Sequence, residues 1–218
     1  MIHNNKVNSI KVNWFETTFE LFASKALLIN QTNELLISDV HIGKAEYFQM
    51  RGIPLTNNED ENNLKKIYTL IKNVNPKKLI ILGDLFHSKS SLTKNLINKV
   101  EKLCQYNKNK IQLIEGNHDK GCIIKGIQYL SSKKSLNLVF THEPIKFKDK
   151  NVLNICGHYH PKIILKNYND RLTLRCFALD NEKNILYLPS FGDLTGGFPC
   201  KKKFKKWAIV SDDSIIEI

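Results

Sequence analysis

Histidine, aspartate and asparagine recur in this chain in short groups whose side chains could hold metal ions. Asp39-Val40-His41, Gly83-Asp84, Gly116-Asn117-His118-Asp119, His142 and Gly157-His158-Tyr159-His160 take up five of the seven histidines. A lone D-x-H or G-D pair is an ordinary solvated turn, and G-N-H-D alone suits an Asx-turn. Five such groups, each directly after an apolar run, are not explained as turns. The donors are carboxylate, imidazole and neutral amide, with no thiolate, which favours manganese, iron or zinc ions over a cysteine-bound structural zinc. Residues two apart on an extended segment point the same way, so Asp39 with His41, and His158 with His160, are each expected to aim a pair into one cleft. His3 falls in an N-terminal segment expected to fray. His87 is expected to pack or hydrogen-bond beside the site.

The elements that must position these groups are legible in the apolar pattern. Glu20 to Ile29, a turn at Gln31-Thr32-Asn33, and Leu35 to Ser38 read as a hairpin. Leu64, Ile67, Tyr68 and Ile71 give one apolar face to a helix over Asn58 to Asn73, and Pro76 stops it. Lys78 to Leu82 is a buried strand, Ser91 a candidate cap for a helix carrying Leu92, Leu96, Val100 and Leu103, and Ile111 to Glu115 the next strand. Further strands are expected at Leu136 to Thr141, Val152 to Cys156, Lys162 to Lys166, Leu172 to Leu179, Asn184 to Leu188, Trp207 to Val210 and Ile215 to Ile218. An α/β half followed by a β-rich half predicts one α/β domain over residues 1–218, with two packed sheets flanked by helices. The histidine and aspartate groups then sit just past strand C-termini, where open α/β sheets place their ligand sites.

In this order the motifs resemble those of the calcineurin-like metallophosphoesterase superfamily, across Asp39 to His160. The resemblance implies a four-layer sandwich of two mixed β-sheets and a pair of divalent cations, manganese first, with iron or zinc as alternatives. It puts Asp39, His41 and His160 on one ion, Asn117, His142 and His158 on the other, and Asp84 between them. A hydroxide bridging the ions would attack a phosphodiester, with His118 as general acid and Asp119 as its orienting partner. Leu36 to Lys44, Arg51-Gly52-Ile53-Pro54, Gly83 to Ser88, Leu188 to Gly192 and Thr195-Gly196-Gly197-Phe198 are most similar to the ligase-associated DNA damage response endonucleases. That subfamily implies a nuclease in DNA repair, with DNA as substrate and a DNA ligase and a helicase as functional partners.

Composition adds less. Net charge is +12, but of the 33 basic residues only Arg51, Arg171 and Arg175 are arginine, so the excess is lysine, as an AT-rich coding bias would give. Lysine is also the poorer residue for bidentate phosphate recognition. Lys201, Lys202, Lys203 and Lys205, interleaved with Phe204 and Trp207, are candidate backbone-phosphate contacts; a solvated hairpin tip gives the same pattern. The Gly-rich segment Ser190 to Phe198 is expected to rim the cleft or to be a plain tight connection. The five cysteines are odd in number and form no C-x-x-C pair, so reduced thiols are expected, with Cys156 packed in its strand. No apolar run reaches membrane-span length and Met1 to Val12 lacks a signal-peptide core, so a cytoplasmic protein without a membrane role is expected. Competing functions are a small-molecule phosphoesterase acting on nucleotides, dinucleoside polyphosphates or lipid-precursor pyrophosphates, and a non-catalytic scaffold. Phosphoprotein phosphatases fit worse, since they carry G-D-x-x-D-R-G and G-N-H-E where this chain has His87-Ser88 and Asp119.

Overall fold

The computed structural model describes residues 8–55, 58–108, 110–167 and 170–218; His3 lies outside them. Seven strands form the first sheet, in chain order: β1 (Ser9–Trp14), β2 (Thr17–Phe22), β3 (Leu27–Ile29), β4 (Glu34–Ile37), β5 (Lys78–Leu82), β6 (Ile111–Ile114) and β7 (Ile127–Leu130). β1 to β4 pair antiparallel, and β4 to β7 are parallel. The helices α1 (Lys44–Gln49), α2 (Asn58–Val74) and α3 (Lys94–Tyr106) belong to the crossovers between the parallel strands. Nine strands form the second sheet: β8 (Lys133–Ser135), β9 (Leu138–Thr141), β10 (Leu153–Cys156), β11 (Pro161–Asn167), β12 (Asp170–Asp180), β13 (Ile185–Tyr187), β14 (Phe198–Pro199), β15 (Lys205–Ser211) and β16 (Ser214–Glu217).

Strand alternation explains why two sheets pack. In β4 and β5, Leu35, Ile37, Leu79 and Ile81 join a cluster with Leu64, Ile67 and Leu70 of α2 and Val100 and Leu103 of α3. Their neighbours Leu36, Ile80 and Leu82 face the other way, into a second cluster with Phe140, Ile155, Phe177 and the fully buried Trp207. Strands apolar on both faces must be covered on both, here by helices on one side and the second sheet on the other. The expected two mixed sheets are therefore present, with the helices on the outer side of the first. A third cluster on the second sheet, around Cys176, Ala178 and Tyr187, is closed by Phe204 and Tyr159 and includes no helical residue.

Local departures have local causes. The expected strand Glu20 to Ile29 is two strands, because the chain turns at Lys25 (φ 67°) with Phe22 N–H donating to Ala26 O. Thr93, not Ser91, caps α3, accepting from Leu96 N–H at 3.3 Å; Ser91 belongs to a preceding 3-10 turn. α1 and β7 are too short, at six and four residues, to show a period that would announce them.

Asp60 of α2 is 2% exposed, accepts from Gly43 N–H at 3.0 Å and lies against Glu46 of α1. Burial first, then the neighbouring Glu46 carboxyl, pushes its pKa up to about 7. A carboxyl raised on folding favours the fold while protonated, so its contribution is lost as pH rises from about 4 to about 7. Asp60→Asn keeps the acceptor for Gly43 and removes the charge. The variant is expected to be more stable than the parent at pH 8, by on the order of 1–3 kcal/mol, with the gap shrinking toward pH 5. Guanidinium unfolding at both pH values measures this, and a variant weaker than the parent at pH 8 would contradict it.

Candidate metal centre

Five strand ends converge. β4, β5 and β6 of the first sheet end next to one another in register, as do β9 and β10 of the second. Past them come Asp39 and His41, Asp84, Asn117 to Asp119, His142, and His158 and His160, as the sequence indicated. The pairs Asp39/His41 and His158/His160 do not converge by strand alternation, however. All four, and Asp84 with them, have left-handed backbones, with φ of 53°, 55°, 63°, 47° and 50° for Asp39, His41, His158, His160 and Asp84. Such residues cost on the order of 1–3 kcal/mol each and persist where surrounding packing dictates them. That packing is tight: a Cβ at Gly83 would lie 2.0 Å from His142 Nδ1, and one at Gly116 would lie 2.2 Å from Asp84 Oδ1. Glycine is needed at both for close approach, beyond any need to turn the strand.

The side chains form two adjoining clusters. In one, ligand atoms of Asp39, His41 and His160 lie within 4.8 Å of one another; in the other, those of Asp84, His142 and His158 do. Asp84 Oδ2 stands between, 3.8 Å from His41 Nε2 and 3.5 Å from His142 Nε2. Asn117 Oδ1 completes the second cluster, 3.2 Å from His142 Nε2. His142 Nδ1–H donates to Leu82 O at 2.9 Å, which leaves its Nε2 lone pair facing His158 Nδ1 at 3.1 Å. Burial lowers the His41 pKa to about 2, keeping it neutral, and raises that of Asp84.

These residues fit divalent cations. His41 Nε2 and His160 Nε2 are buried and make no hydrogen bond among the described residues, although the latter lies 3.0 Å from Asp39 Oδ1. Buried polar atoms left without partners are rare, and converging lone pairs with carboxylates are what a cation satisfies. The neutral imidazoles, carboxylates and one amide are the donor types of such a site.

The sequence profile of calcineurin-like phosphoesterases matches residues 35–211. The chain belongs to that family. Calcineurin-like phosphoesterases are hydrolases with a dinuclear metal site, and the two clusters suit one. The crystal structure of Pseudomonas putida nuclease MPE aligns with a TM-score of 0.80 at 28% identity, over 93% of this chain and 97% of that one. YfcE, a phosphoesterase from E. coli, is 15% identical, with a TM-score of 0.48 over 85% and 97% of the two chains, too distant to carry an argument. No curated protein matches the chain in sequence.

One residue of this phosphoesterase stands differently from expectation. The Asp119 carboxylate does not orient the His118 ring: Oδ2 accepts from Asp84 N–H at 2.7 Å and Gly116 N–H at 2.9 Å, and Oδ1 from Phe86 N–H at 3.0 Å. It binds the β5 and β6 loops together from a fully buried position, and burial lifts its pKa to about 6 against those amides. The His118 ring is held by the carbonyl of His87, to which its Nδ1–H donates at 2.7 Å. His87 packs and hydrogen-bonds beside the site, as expected. Its ring stacks on His118 at 5.2 Å and shares a third cluster with His41 and His118, and burial lowers its pKa to about 4. Only its position three residues after Asp84 signalled this.

The segment from Ser190 braces the centre from behind: Phe191 N–H donates to Ser38 O at 2.8 Å and Gly192 N–H to Asp39 O at 3.1 Å. Asp193 anchors it, receiving Lys25 at 2.6 Å, Lys66 at 2.9 Å and Arg175 at 3.2 Å. The lysine run lies outside both clusters. Lys203 pairs with Glu182, Lys205 pairs with Glu217 at 2.9 Å, and Lys201 and Lys202 are exposed. An open cleft of about 510 Å³ continues from Asn117 and His142 past Glu115, Lys120, Ser131 and Glu143. Among the described residues no helix is long and apolar enough to cross a membrane.

Proposed function

We propose that this single-domain phosphoesterase is a phosphodiesterase that cuts DNA. The observation that carries the reading is the pair of His/carboxylate clusters sharing Asp84, with His118 poised beside them. The likeness to a bacterial nuclease over nearly the whole chain supports the choice of substrate. Asp39, His41 and His160 would hold one divalent cation and Asn117, His142 and His158 the other, with Asp84 facing both. Bound cations of this kind lower the pKa of water and neutralise charge on phosphate oxygens. The protein's part is positional. His118 N–H donates to Asp84 Oδ1 at 3.0 Å, so the backbone carrying the ring is tied to the carboxylate between the clusters. With Nδ1–H committed to His87 O, Nε2 is the atom of His118 left to deliver a proton to the leaving oxygen. Manganese, a role in DNA repair beside a ligase and a helicase, and a cytoplasmic location are the parts of the proposal that rest on the sequence resemblance.

Turnover of bis-p-nitrophenyl phosphate is expected to exceed that of p-nitrophenyl phosphate with Mn2+ and to vanish with a chelator, after which DNA is tested. Preference for the monoester, or no turnover with metal bound, would move the assignment to a small-molecule phosphoesterase. Lys201 and Lys202 are proposed as outlying phosphate contacts. Changing both to glutamine should lower the salt dependence of DNA binding by a slope of about two, and an unchanged slope would make the run a solvated turn.

A further inference from the structure

One feature of the centre has no part in holding cations. α1 follows His41 by two residues and projects Tyr47 and Phe48, both partly exposed, toward His87. The Phe48 ring lies near-parallel to His87 (21°, centroids 6.4 Å apart), and His87 near-parallel to His118 (19°, 5.2 Å). Tyr47 meets the edge of His87 at 4.6 Å. A graded series of ring faces therefore runs from His118 out to the protein surface. At its outer end the Arg51 guanidinium lies 3.5 Å from the Tyr47 ring centroid and donates through Nη1 to Tyr47 O at 3.2 Å. Arg51 is exposed, and among the described residues no carboxylate pairs with it. Met50 and Ile53 beside it are 65% and 46% exposed.

Resting on the nuclease reading above, the geometry points to α1 as the nucleobase-binding platform of this active site: Tyr47 and Phe48 stack the base beside the scissile phosphate, and Arg51 takes the adjoining phosphate. Aromatic rings that served only to wedge His87 would be covered, whereas both of these are partly exposed beside His87 and His118. Stacking on an aromatic side chain tolerates any base, and a guanidinium flattened on a ring is stiffened with donors to spare for phosphate oxygens. A model diester such as bis-p-nitrophenyl phosphate has neither a nucleobase nor a second phosphate to offer, so the platform acts on substrates that carry both.

The test is a cycle between one ring and one base. Cleavage of a short DNA oligonucleotide is compared with cleavage of the same strand carrying a tetrahydrofuran abasic residue on either side of the cut, for the parent and for Phe48→Leu and Arg51→Gln. In the parent, loss of the base is expected to lower kcat/KM about tenfold. In Phe48→Leu, which keeps apolar bulk against His87, the abasic and intact strands should be cut within about twofold of each other. Arg51→Gln should raise KM for both strands. A parent that cuts the abasic strand as well as the intact one, or a Phe48→Leu variant as sensitive to the missing base as the parent, overturns the platform alone. A parent that hydrolyses the small diester but no oligonucleotide overturns the nuclease reading and the platform with it.

Discussion

Asp84→Asn is expected to purify with less than the parent's complement of divalent metal and to lose at least about 100-fold in turnover. The substitution is nearly isosteric, so the acceptor at Oδ1 for His118 N–H survives in the amide and the loop has no reason to unfold. What it removes is the negative charge between His41 Nε2 and His142 Nε2. Burial already raises the pKa of this carboxylate, so ionisation here costs free energy that nearby cations recover. An amide offers them one neutral oxygen in place of two charged ones. Metal analysis after gel filtration, set beside bis-p-nitrophenyl phosphate turnover across a Mn2+ titration, measures both effects. A variant that keeps two equivalents of metal and full turnover would remove Asp84 from its place between the clusters.

Much of this centre was legible in the sequence because its donors are chemically unusual residues at the ends of apolar runs. Strands such as Leu79 to Leu82 announce themselves by apolarity on both faces, and position alone then puts Asp84 at a sheet's C-terminal edge. Backbone conformation was not legible. The spacing of Asp39 and His41 suggested strand alternation, while the chain uses left-handed residues held by tertiary packing, with Gly157 close against the Asp39 carboxylate and Gly192 close against Val40 O. The role of Asp119 was misread for a related reason. Adjacent numbers suggested a pair with His118, but a fully buried carboxylate among three amide donors is satisfied by backbone, and sequence does not show which amides will converge. α1 went unseen because six residues with two aromatics and no apolar period look like loop, and its value lies in what it faces.

His118→Ala separates holding the cations from using them. The His118 ring is not among the two clusters that share Asp84, so the variant is expected to keep the parent's metal content. Its loss should appear in turnover, and the size should depend on the leaving group. A p-nitrophenolate departs without a proton, so removing a general acid costs little there; a sugar alkoxide must be protonated or strongly stabilised as it leaves. With DNA, a loss of about 10²–10⁴ is expected, the range a positioned proton donor contributes, and a clearly smaller loss with bis-p-nitrophenyl phosphate. The contrast also tests the tautomer, since the His87 carbonyl fixes the proton on Nδ1 and leaves Nε2 for the substrate. His118→Gln has an amide but no titrating group, so it should recover little of the DNA cleavage. Equal losses on both substrates would make His118 a binding group for the phosphate instead. An unimpaired His118→Ala enzyme on DNA would shift the proton donor to another member of the stack, and His87, ring-to-ring with it at 5.2 Å, is the group the geometry offers.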